Sequence, residues 1–117
     1  MKKKIILLIA VTAIFASACG VFAHPAKNVT VSWDKAQETL QISAEHHVND
    51  ASKHYVLSMT IFDGNNQVLI KQYTKQDSTE KFSDKVVLKG MNSGTKIRVQ
   101  LVDNIMGSTE QVYFIPK

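Results

Sequence analysis

An all-β sandwich of about seven antiparallel strands is the fold class this sequence predicts. Apolar and polar side chains alternate over short runs, turn signals fall between those runs at intervals of roughly eight to twelve residues, and no stretch repeats its apolar positions at helical spacing.

The chain starts with Lys2, Lys3 and Lys4, then an apolar run from Ile5 to Phe15, then the small residues Ala16, Ser17 and Ala18. This order predicts a secretory signal peptide over residues 1–23, with a stretch too short to favour a permanent membrane span. Cleavage after Ala23 fits Val21-Phe22-Ala23. Cleavage before Cys19 fits Ala16-Ser17-Ala18, which resembles a lipoprotein box and would leave a lipid anchor on Cys19. The expected location is therefore a bacterial periplasm or beyond, as a secreted protein or as a membrane-anchored or outer-surface lipoprotein.

Each strand of residues 24–117 has its own signal. Val29, Val31 and Trp33 alternate with Thr30 and Ser32, and Leu40, Ile42 and Ala44 repeat the pattern after a polar turn. Residues 55–62 are β-branched and aromatic, as a central strand requires. Asp63-Gly64-Asn65-Asn66 is a hairpin turn in which Gly and Asn tolerate positive φ, and residues 67–73 return as its partner. A fifth strand spans residues 82–88. Ile97, Val99 and Leu101 alternate in a sixth, and residues 112–115 close the sheet before Pro116. The arrangement expected is immunoglobulin-like. Trp33 and Phe62 should plug its core, with Leu57, Ile61, Val99 and Leu101 on inward faces.

The 117 residues carry a net charge of +4, but the basic excess is mostly in the leader. Residues 1–23 hold three Lys and no acid, so 11 basic residues face 10 acidic ones in the remainder. No basic footprint for nucleic acid survives. The single cysteine, Cys19, precedes the domain, which must then hold together without a disulfide. No nucleophile motif, phosphate-binding glycine loop or paired-acid cleft is legible.

All four histidines, His24, His46, His47 and His54, lie in the first third of the domain. The last three bracket a polar loop between two strands, a position where sites are often built. Imidazole binds Fe, Cu, Zn or Ni, and loop histidines flanking one segment can meet at one ion. The alternative is a set of solvent-facing histidines with no ligand role and no cofactor.

His47-Val48, followed by a short polar stretch and His54-Tyr55-Val56, resembles the His-Pro…His-Tyr-Ile segment of the superoxide reductases (the desulfoferrodoxin and neelaredoxin family). Val102-Asp103-Asn104-Ile105-Met106-Gly107 falls where that family has Cys-Asn-x-His-Gly. The resemblance implies an immunoglobulin-like sandwich holding non-haem iron by four His and one Cys, with one position open to superoxide. It carries His47 and His54 over as ligands. Asp103 stands at the Cys position and Met106 at the last His position. His24-Pro25 is a faint counterpart of the family's N-terminal Glu-Lys-His-x-Pro loop, and the loop between His47 and His54 is one residue longer than usual. The expected metal residues are therefore His47, His54, Asp103 and His24, in an altered site. Thiolate donation is a main lever on such an iron, so a superoxide-reductase-like oxidoreductase activity, with its own electron donor, is expected in reduced form at most. Asp103 reads equally as a ligand or a turn residue, and Met106 as a residue packed under the loop.

Two further classes compete. Cleavage after Ala23 makes His24 the terminal residue, and its amine and imidazole can chelate copper together with another His. A binding or interaction sandwich that keeps only the scaffold, with no catalysis, is the other.

Overall fold

The computed structural model describes residues 24–117, and the expected signal peptide and Cys19 lie outside the described residues. Seven strands follow one another: β1 (Lys27–Asp34), β2 (Thr39–Glu45), β3 (Val56–Asp63), β4 (Asn66–Gln72), β5 (Lys81–Val87), β6 (Lys96–Asp103) and β7 (Ser108–Phe114). They form a three-stranded sheet, β1-β2-β5, and a four-stranded sheet, β4-β3-β6-β7, every pairing antiparallel. This is the expected immunoglobulin-like sandwich. Among the described residues, no helix is long and apolar enough to cross a membrane.

Period-two alternation builds the core. β2 turns Leu40, Ile42 and Ala44 inward, and β6 turns Ile97, Val99 and Leu101 inward against Met59 and Ile61 of β3. Each fully buried Leu, Ile or Met among them contributes about 1.5–3 kcal/mol over its exposed state. Gly64 takes the left-handed conformation, φ 62°, that the β3–β4 hairpin needs.

Three core expectations are corrected. Leu57 is 41% exposed, because a register shift between Val56 and Ser58 leaves it as the extra residue opposite β6. Phe62 does not plug the core: it lies opposite Arg98, whose guanidinium sits 4.4 Å from the ring centre, and both are only half-buried. Trp33 packs against the core only in part, from the end of the edge strand β1.

A polar staple joins the outer strands of the two sheets. The Tyr73 hydroxyl, just past β4, donates to Asp84 Oδ2 of β5 at 2.5 Å, and Lys71 Nζ reaches the same oxygen at 2.8 Å. Burial, then the Asp84 carboxylate, push the Tyr73 hydroxyl far above its ordinary pKa. Burial also penalises the Asp84 carboxylate, but bonds from Lys71, Tyr73 and the Lys85 N–H together hold its pKa below the usual value.

The strands run so that residues 24–26, 45–54 and 103–108 gather at one pole. The turns 34–38 and 89–94 and the C-terminal residues gather at the other, around an open cleft of about 290 Å³ that includes Trp33, Met91 and Pro116.

Candidate metal centre

Three strand ends build the site. The inward alternation of β2 runs one step past the strand, from Leu40, Ile42 and Ala44 to His46, which is fully buried. The inward alternation of β6 ends on Asp103, 6% exposed. His54, 7% exposed, stands two residues before Val56, the first inward position of β3. The site is thus the last layer of the sandwich core, made of polar residues instead of apolar ones.

The ligand atoms converge on one oxygen. Asp103 Oδ1 lies 2.8 Å from His46 Nε2 and 2.9 Å from His54 Nε2, and Oδ2 lies 3.1 Å from His54 Nε2. The rings of His46 and His54 meet edge to face, 4.8 Å between centroids. One donor atom from each of the three residues falls within 4.8 Å of the others, so this buried group could hold a metal ion. The two N···O separations, 2.8 and 2.9 Å, are shorter than the roughly 3.3 Å between ligand atoms of a tetrahedral site with bonds of 2.0–2.1 Å, so the side chains must part to admit an ion.

Backbone bonds hold the carboxylate and the loops around it. Asp103 Oδ2 accepts the N–H groups of Ile105 and Met106, both at 2.9 Å, so Asp103 serves the turn and faces the histidines at once. Asn104 clamps two loops: its Oδ1 accepts the Tyr55 N–H, its side-chain amide donates to the Lys53 carbonyl, and its own N–H donates to the Tyr55 carbonyl. The His46 N–H donates to the Glu80 carbonyl and the Val48 N–H to the Thr79 carbonyl, which ties the residue 46–54 loop to the connection between β4 and β5. From that connection buried Gln76 reaches His46, with its Oε1 2.7 Å from His46 Nδ1.

The structure brings His54, Asp103 and His24 of the expected residues to this pole and leaves His47 outside the group. His47 points to solvent and pairs with exposed Glu80 at 2.9 Å. His24 is half-buried, its ring centroid 5.5 Å from that of His46 and 5.6 Å from that of His54. Its carbonyl lies 3.2 Å from His46 Nε2. Pro25 packs its ring 3.4 Å from where a Cβ on Gly107 would stand, and Gly107 takes φ 82° to allow that approach. Met106 is 49% exposed, so it is not packed under the loop as expected. His46 and Gln76 were not among the expected ligands or their partners. The signal for His46 was the alternation itself, extended by one step. Gln76 had no signal of its own.

No family model matches the chain, and no curated protein or solved structure matches it either.

Proposed function

We propose that this chain is an exported metal-binding domain whose centre is His46, His54 and Asp103, with His24 beside it as a further donor. One observation carries the reading: two buried imidazole nitrogens, from two separate strand ends, meet at one buried carboxylate oxygen from a third. Two imidazoles and one carboxylate are the donor set of non-haem Fe(II) centres that keep positions open for a small reactant. Iron bound there would supply one-electron chemistry. The chain's own residues supply the buried imidazole and carboxylate donors and the apolar layer beneath them.

The motif resemblance supports a superoxide-reductase-like ancestry with an altered ligand set, since Asp103 replaces a thiolate. A hard carboxylate in that place removes the sulfur-to-iron charge transfer, weakens selection for one particular metal and suits harder ions. The activity that follows is a reduced or changed redox role, with an electron donor still to be identified.

Anaerobic titration with Fe(II), and with Co(II) as a spectroscopic stand-in, tests the reading. One equivalent should bind. His46→Ala and His54→Ala should each abolish binding, and His47→Ala should keep it. Metal loss in His47→Ala but not in His46→Ala would overturn the ligand set, and no binding to the parent would overturn the function.

A further inference from the structure

We propose that Gln76 is a positioning residue for this centre, one that fixes His46 in the tautomer able to bind a metal through Nε2. The inference rests on the metal-centre reading. Gln76 is 6% exposed and spends every polar atom of its side chain on specific partners. Its amide nitrogen has two hydrogens, and two carbonyl oxygens receive them: His46 O at 3.1 Å and Ser78 O at 2.8 Å. That assigns the amide, because the reversed orientation would set an oxygen against both carbonyls. Oε1 is therefore the atom 2.7 Å from His46 Nδ1, and an oxygen there can only accept. Nδ1 must carry the proton.

The consequence lies on the other side of the ring. A neutral imidazole protonated on Nδ1 has a bare lone pair on Nε2. In that neutral tautomer the lone pair faces Asp103 Oδ1 at 2.8 Å and the His24 carbonyl at 3.2 Å, both acceptors. Three acceptors around one point suit a cation. Partners of this kind orient a ligating histidine and raise its basicity, and losing one typically lowers metal affinity about 10- to 100-fold. The connection that carries Gln76 is itself fixed, since the Gln76 N–H donates to the Ala51 carbonyl at 2.9 Å. The β4–β5 connection thus reaches the metal centre without contributing a ligand.

Two variants separate positioning from mere support. Gln76→Met and Gln76→Glu both lose the two donations to the carbonyls, so both should lose stability. Only Glu keeps an acceptor for Nδ1–H. Zn(II) affinity, measured by chelator competition on the folded protein, should fall about 10- to 100-fold in Gln76→Met and stay within about threefold of the parent in Gln76→Glu. Nitrogen-15 NMR of the metal-free parent, recorded where the ring is neutral, should show His46 protonated on Nδ1. Equal affinities in the two variants, or a proton on Nε2 in the neutral ring, would overturn the proposal. A parent that binds no Zn(II) yet shows the Nδ1–H tautomer would overturn the metal reading instead, leaving Gln76 as an orienter of a buried histidine.

Discussion

Replacing Asp103 by Asn distinguishes a metal centre from a buried ion triad of the same three residues. Oδ2 accepts two backbone N–H groups at 2.9 Å, so the Asn side chain keeps its oxygen on that side. Its NH₂ then stands where Oδ1 was, 2.8 Å from His46 Nε2 and 2.9 Å from His54 Nε2. With His46 protonated on Nδ1, that amide donates into a bare lone pair. The His54 ring has no hydrogen-bond partner but Asp103 among the described residues, so its tautomer can follow. A repulsion becomes a hydrogen bond with a net value of about 1 kcal/mol. For a domain of this size the metal-free Tm should then hold or rise by roughly 4–8 °C. Zn(II) affinity should fall by more than the roughly 100-fold expected for losing an outer partner. If His46 and His54 instead held protons against a charged Asp103, the same change would break a buried pair. That costs about 3–5 kcal/mol and lowers Tm by at least roughly 12 °C. Circular dichroism melts in chelator and in excess Zn(II) read both quantities. A metal-free variant that melts roughly 12 °C or more below the parent would refute the reasoning.

Three other outcomes follow from the geometry. The folded pKa of Asp84 lies below its ordinary value of 3.8, so its contribution to stability is present at neutral pH and is lost as pH falls through the folded value; urea midpoints between neutral and acid pH should slope less steeply in Asp84→Asn. Gly107→Ala places a side chain at φ 82° and against the Pro25 ring, and should cost about 1–2 kcal/mol in chemical denaturation while loosening the His24 end. Ile61→Ala opens a cavity in a fully buried layer and should cost about 2–5 kcal/mol, with metal affinity per folded molecule unchanged.

The strands were legible because alternation over seven or eight residues is a long signal, and all seven emerged within a few residues of where it placed them. What failed was local. One bulge in β3 turned Leu57 outward, and nothing in residues 55–62 marks where an extra residue enters. At the site, two adjacent histidines offered a choice that the motif resemblance resolved toward His47. Successive residues of an extended chain face opposite ways, so a slip of one exchanges a solvent-facing ring for a buried one. The period already used for Leu40, Ile42 and Ala44 points to His46. Gln76 could not be read in advance, because its role depends on a loop whose path is set by contacts some 25–30 residues away in sequence.

The placement of the three ligands also bears on motion. His46 directly follows a strand of the three-stranded sheet, while Asp103 ends one strand of the four-stranded sheet and His54 lies just before another. A cation between them fastens one sheet to the other at a single pole, and the opposite pole, with its open cleft beside Trp33, gains no such fastening. The loaded domain should therefore breathe like a clothes-peg. Amide hydrogen exchange should slow most at the ligand ends of β2, β3 and β6 and least toward residues 34–38 and 89–94, so that metal occupancy is written as a gradient of protection along each strand.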